Sequence, residues 1–418
     1  MKAPHARDSI ARATISTSAV LVLRMIAQVG SLLLFAHLLG PESFSSFVGM
    51  ASLAVTLGTL STFGTHFLLL RETSCAPPNQ PAKLLPLTLG TTLFSGSLLL
   101  AIYLFVTSQW LQQDNINLLA LLAIGVSDII ALPLLQIPSA KLQGQGQIAR
   151  SQLLLTLPLA LRLLAVALIL IWQPDNTLNM LALAYAAASL ASLPFGLMLM
   201  QQDWPHLRDW RLPKRSEWRE TSGFAALNLT AIAPNELDKT IAMQVLSPID
   251  ASTYAVGSRV MGPLVLPVLA MMLSTLPRLF REHGGSAQNN DLMRISLLAA
   301  LGYGLLAAVA LWFFAPWVAW PFGEQFAGLT ETLRWLALAV PGLTLRYVVS
   351  NALMSQGRPW LRVIVESIGL LALGFAALQL TAFGSTGMAL ALACSEWTMA
   401  LLGLFMLRRI LVTPTART

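Results

Sequence analysis

The sequence predicts an all-α integral membrane protein of about twelve transmembrane helices, arranged as two pseudo-symmetric six-helix bundles. Three observations predict it: a composition too apolar for water, a regular succession of long apolar runs, and a one-sided distribution of Lys and Arg. Of the 418 residues, 56% are hydrophobic and 11% are charged, whereas soluble domains carry roughly a quarter charged residues. A helix crosses the hydrocarbon in about 20 apolar residues and satisfies its own backbone on the way. Twelve spans therefore consume roughly 240 residues, which leaves short loops and no second soluble domain.

The first run, 14–38, follows a basic, polar segment and exceeds the length of a signal-peptide core, so it reads as an uncleaved span. Gly40-Pro41 separates it from 44–68, and Pro77-Pro78 separates that from 85–108. Runs 117–138 and 151–172 follow, then Gln173-Pro174-Asp175, then 178–200. The charged, Trp-containing stretch 201–220 sits at the midpoint and reads as a cytoplasmic linker. Beyond it, 221–246 ends at Ser247-Pro248, and 251–276, 293–314, 330–353, 362–381 and 386–407 complete the set. The expected organisation is a bundle over 1–200, the linker over 201–220, a second bundle over 221–407 and a cytoplasmic tail over 408–418. Pro158, Pro194, Pro234, Pro263 and Pro267 fall inside spans, where proline kinks a helix. On the outer side the longest loop, 316–330, offers Trp317, Trp320 and Phe322 as interface anchors.

Alternate loops hold 20 of the 26 basic residues, among them Lys2, Arg71, Lys141, Arg211, Arg358 and Arg417. The opposite loops hold none, which places both termini in the cytoplasm. A net charge of +7 on an exposed domain would suggest nucleic acid. Here the charge is spread over short loops, so no nucleic-acid partner is expected. Cys75 and Cys394 are spaced for neither a metal site nor a disulfide framework.

An internal echo supports duplication. Leu39-Gly40-Pro41 through Phe47 and Leu246-Ser247-Pro248 through Tyr254 match at the Leu, Pro, Ser and aromatic positions, at a constant offset of 207. Gln145-Gly146 and Gln356-Gly357 form a second pair. Both copies have the same orientation, so the repeat is parallel, a design common among transporters.

With Arg24, Leu38 to Phe44, Asp238-Lys239-Thr240, Leu246-Ser247-Pro248, Tyr254 and Arg259 in these positions, the chain resembles the oligosaccharide (O-antigen) flippases of the multidrug/oligosaccharidyl-lipid/polysaccharide exporter superfamily. The resemblance extends over nearly the whole chain in span number and spacing. Ser45-Ser46 departs from the small residue, often glycine, usual after the first-loop aromatic. It implies a V-shaped pair of bundles, alternating access, and passage of undecaprenyl-diphosphate-linked sugars across a bacterial inner membrane for lipopolysaccharide or other surface polysaccharide. It also implies membrane lipids and a polysaccharide polymerase as neighbours.

The chemistry is expected in the ionisable residues inside spans, each costing roughly 2.5–3.5 kcal/mol if left facing lipid. The bases are Arg24, Arg162, Lys239, Arg259, Arg334 and Arg346; the acids are Asp128, Glu236, Asp238, Glu366 and Glu396. A guanidinium replaces the hydration of a diphosphate with paired hydrogen bonds. Arg24, Lys239, Arg259 and Arg346 are thus substrate-binding candidates, with Asn228 and Asn235 for sugar hydroxyls. Asp238, Asp128 and Glu366 are candidates for ion coupling. The expected motion is rocking of 1–200 against 221–407 around a basic cavity. No nucleotide loop, zinc motif, nucleophile triad or cofactor site is present, so the chain reads as a transporter rather than an enzyme. The rivals are an ion-coupled multidrug antiporter, which an acid-dominated cavity would favour, and a polytopic polymerase or ligase, which calls for a larger outer loop.

Overall fold

The computed structural model describes residues 4–75, 82–110, 117–172, 176–200, 204–281, 287–356 and 358–412, with only the backbone for 4–18, 21, 110, 207, 273–274, 276–281, 287–290 and 411–412. Lys2, Pro77, Pro78, the segment 173–175, Gly357 and Arg417 lie outside the described residues. Helices account for nearly all of what is described, and no strand occurs among those residues.

The first two expected spans form one continuous assignment, α1 (Pro4–Ser61), broken at Gly40. Gly40 has φ 66° and ψ 173°, a region essentially closed to residues with a Cβ. Pro41 has no N–H to continue the helix behind it. The Gly-Pro pair therefore turns the chain between two helices. The second of these ends at Ser61, where Phe63 (φ 45°) and Gly64 (φ 74°) interrupt it before α2 (Thr65–Cys75). Next come α3 (Leu85–Trp110), α4 (Leu118–Gly125), a π-helical turn over Val126–Ala131, α5 (Leu132–Gly144), α6 (Ile148–Trp172) and α7 (Thr177–Met198). The π turn precedes Pro133, whose missing N–H leaves the carbonyl four residues back without its helical donor. Gly58 and Gly96 face this turn; a Cβ on Gly58 would stand 2.1 Å from the Asp128 carbonyl oxygen.

Beyond the connector lie α8 (Arg215–Val245), α9 (Pro248–Arg281), α10 (Ala287–Ala319), α11 (Leu329–Ala337), α12 (Ala339–Ser355), α13 (Pro359–Gln379) and α14 (Gly384–Val412). Helices α11 and α12 meet at a 44° bend and together are long and apolar enough to cross a bilayer. Pro341 accounts for the bend, because its ring crowds the carbonyl of Ala337 and removes that group's donor. Helices α6, α7, α8 and α9 continue through Pro158, Pro194, Pro234, Pro263 and Pro267.

Nine described helices are long and apolar enough to cross a bilayer, ten when α11 and α12 count together. Division of α1 at Gly40 makes eleven, and α8 the twelfth. At 31 residues, α8 is about 46 Å long, but Glu236, Asp238 and Lys239 lower its hydropathy. The protein is a multi-pass, all-α membrane protein. Its lipid-facing surface shows in exposed Phe105, Leu168, Ile171, Phe313 and Leu371, apolar side chains that hydrocarbon solvates at no cost.

Two compact units divide at Leu229/Thr230, inside α8. In the first, α6 packs between α1 and α7, and α2 lies on α5. In the second, α14 packs against α12 and α13, and α10 against α12. Its core contains Val268, Leu345, Val349, Leu353, Met399 and Leu407. Small residues allow close approach there: a Cβ on Gly403 would meet Val349 Cγ1 at 2.5 Å. Trp317 and Trp320 are exposed as interface anchors should be, but Phe322 is buried against Phe326. The loop folds back through short 3-10 turns at Trp320–Phe322 and Glu324–Phe326, which carry that ring inward.

Candidate functional site

Each unit encloses a buried ionic network. In the first unit the π turn presents Asp128 to Arg162 of α6, with Arg162 Nη2 2.9 Å from Asp128 Oδ1. The same nitrogen donates to Ser127 Oγ and Ser189 Oγ, both at 2.8 Å. Tyr185 of α7 donates its hydroxyl to Asp128 Oδ2 at 2.9 Å, and its ring lies 3.4 Å from the guanidinium carbon. Phe47 and Phe35 close around Tyr185. Taking both charges out of water costs several kcal/mol each, so such a network holds only when the pair stays together. Arg162, one of the bases embedded in a span, is thus the counter-ion of Asp128.

In the second unit, Arg346 of α12 is the hub. Its Nε donates to Glu396 Oε2 of α14 at 2.6 Å, and its Nη2 donates to Asn235 Oδ1 of α8 at 3.2 Å. Glu366 of α13 stands 4.0 Å from Nη1. Glu366 also accepts from Ser350 Oγ and from Arg362 Nε, each at 3.0 Å. Beside this hub, Lys239 pairs with Asp238 at 3.0 Å and donates to the Asn235 carbonyl. Tyr254 donates to Asp238 Oδ2 at 2.7 Å. The pairing of Lys239 with Glu236 is looser, at 3.9 Å.

The predicted residues therefore separate by environment. Lys239, Arg346, Asp128, Asp238 and Glu366 are buried and ion-paired. Asn228 donates to the Thr59 carbonyl and Asn235 to that of Ala231. Arg24 and Arg259 differ. Arg24 is half-buried in α1, and its hydrogen bond runs to Gln152 of α6 at 3.3 Å. Arg259 is half-buried in α9, and its Nε is enclosed without a hydrogen-bond partner among the described residues. Neither has a carboxylate within ion-pair distance among the described residues. Arg334 shares that condition; its guanidinium lies 6.0 Å from the Trp312 ring. No group of three or more metal-binding side chains occurs among the described residues.

Sequence reasoning missed the roles of Tyr185, Tyr254 and Glu396. Phe47 and Tyr254 occupy equivalent positions of the internal repeat, and both are buried in the networks of their own units. The repeat was the signal available for Tyr254. Nothing local pointed to Tyr185, which approaches Asp128 from a different helix.

A family model described as "Polysaccharide biosynthesis protein" matches residues 10–231, just over half of the chain. The chain belongs to this family. No curated protein matches the chain. Its fold is shared with solved transporters. The inward closed conformation of the lipid II flippase MurJ superposes with a TM-score of 0.72 at 12% identity, covering 94% of this chain and 87% of that one. An inward-facing multidrug resistance MATE family transporter of the MOP superfamily gives 0.66 at 15% identity, covering 95% and 98%. A MOP superfamily transporter from Pyrococcus furiosus gives 0.63 at 15% identity, covering 96% and 95%. The family member thus has a MOP-type transporter fold across nearly its full length.

Proposed function

We propose that this family member is a flippase. It moves oligosaccharide linked to undecaprenyl diphosphate from the cytoplasmic to the periplasmic leaflet of a bacterial inner membrane, by alternating access, with both termini in the cytoplasm. The observation that carries this reading is that two half-buried arginines, Arg24 and Arg259, one in each unit, have no carboxylate partner among the described residues. An unpaired guanidinium inside an apolar helix is costly unless an anion visits it. A diphosphate head group is such an anion, and its lipid tail stays in the bilayer while the head crosses. An antiporter would need free acids to hold an organic cation as cargo, whereas Asp128, Asp238, Glu366 and Glu396 each already have a basic side chain within 4.0 Å.

The test uses a deletion strain fed labelled sugar. The expected result is lipid-linked oligosaccharide accumulating on the cytoplasmic face, relieved by the wild-type chain and not by Arg24→Gln or Arg259→Gln inserted at equal level. Normal surface glycan in the deletion strain would overturn the reading.

A further inference from the structure

We propose that the α12–α13–α14 cluster is a proton-binding site, with Glu396 as the acceptor and Arg346 as the group whose pairing reports its occupancy. Glu396 and Glu366 are each 1% exposed, and both approach the same guanidinium. Each uses one oxygen in an ion pair and buries the other with no hydrogen-bond partner: Glu396 Oε1 and Glu366 Oε2. A buried carboxylate oxygen without a donor carries its full desolvation cost, and a proton on that oxygen removes the charge that makes it costly.

The surrounding charges decide which glutamate takes the proton. Glu366 keeps Arg362 of its own helix and Ser350 of α12. Among the described residues, Glu396 accepts a hydrogen bond from Arg346 only. From α8 it is faced by Asp238, whose own cation is Lys239, and from α13 by Glu366. Tyr254 of α9 is committed to Asp238, Asn235 of α8 accepts from Arg346, and Tyr347 of α12 lies with its ring 5.5 Å from the Arg346 guanidinium. Among the described residues, the like charges of Asp238 and Glu366 act on Glu396 against the one cation paired with it, Arg346. Glu366 and Glu396 converge on Arg346, and no group of three or more metal-binding side chains occurs among the described residues.

The step is balanced. A proton from water adds to Glu396 Oε1, the carboxylate becomes a neutral acid, and the Arg346–Glu396 charge pair is lost. The second unit gains one positive charge, and Arg346 keeps Asn235 and the more distant Glu366. On the flippase reading, that charge strengthens the hold on an anionic head group. By reciprocity, the anion strengthens the hold on the proton.

Two measurements on the purified full-length chain in lipid nanodiscs test this. Infrared difference spectra during acid titration, without ligand, should show a neutral buried carboxyl band. Glu396→Gln should remove it, Glu396→Asp should shift it and Glu366→Gln should leave it. A wild type without the band, or a band untouched by both Glu396 variants, would overturn the proposal. The second measurement is inorganic diphosphate affinity against pH. One linked proton steepens the dependence by up to tenfold per pH unit in the wild type relative to Glu396→Gln, and the probe's own titration cancels between them. Equal slopes would overturn the coupling to Arg346. The band without diphosphate binding at any pH would leave the proton site standing and reject the flippase reading.

Discussion

Replacement of Arg162 by Met should destabilise the first unit severely. The guanidinium donates to Asp128, Ser127 and Ser189 from one nitrogen, and the substitution removes all three bonds. Asp128 would keep the Tyr185 and Ser127 hydroxyls but lose its only cation among the described residues. Breaking a buried pair from one side costs about 3–5 kcal/mol. At about 2–4 °C per kcal/mol for units of this size, Tm falls by roughly 6–20 °C. Replacing Asp128 by Asn in the same chain removes the stranded charge and should restore most of the loss. The assay is thermal unfolding of the purified protein in detergent, followed for wild type, both single variants and the double variant. An Arg162→Met Tm equal to wild type, or a double variant no more stable than Arg162→Met, would refute the assignment of Arg162 as the counter-ion of Asp128.

Other consequences are measurable too. Arg24→Gln and Arg259→Gln should each lower glycan export at least tenfold while Tm stays within about 2 °C of wild type, because neither breaks an ion pair; immunoblots of membranes and labelled surface glycan check both. Gly58→Ala drives a methyl into the Asp128 carbonyl, and overpacking of this kind costs about 1–3 kcal/mol, read in the same melting assay. In the connector, Arg211 holds the Glu217 carboxylate at about 2, helped by the Lys214 N–H. A depressed acid contributes its full stability above its unfolded value and loses it as pH falls towards the folded one. Residues 211–217 should therefore become protease-sensitive between about pH 4.5 and pH 2, and Glu217→Gln should be sensitive already at pH 7; equal cleavage at both pH values in wild type would contradict the pairing.

The bilayer explains how much of this was legible in the sequence. Hydrocarbon forces each span to satisfy its own backbone, so length and hydropathy locate most spans without reference to neighbours. Gly40-Pro41 and Ser247-Pro248 mark real turns for the same local reason. They work differently, however: Gly40 supplies a positive φ, while the Ser247 hydroxyl accepts from the Asp250 N–H at 3.2 Å and caps α9. The bend at Leu338 was also readable from Pro341, though the apolar run around it hid it. Phe322, in contrast, reads as an interface residue in isolation and is buried only because the loop after α10 folds back. Which charges pair was illegible: Arg346 and Glu396 lie 50 positions apart, and helical periodicity carries no information across that distance.

The sequence by itself determined the solvent, the spans, the expected topology and the list of embedded charges, because each is a local energy paid residue by residue against lipid. Only the tertiary structure decided which of those charges are neutralised. It joined Arg162 to Asp128, Lys239 to Asp238 and Arg346 to Glu396, and left Arg24 and Arg259 without a carboxylate among the described residues. Ion pairing depends on approach to within about 4 Å, a distance set by how helices remote in sequence pack.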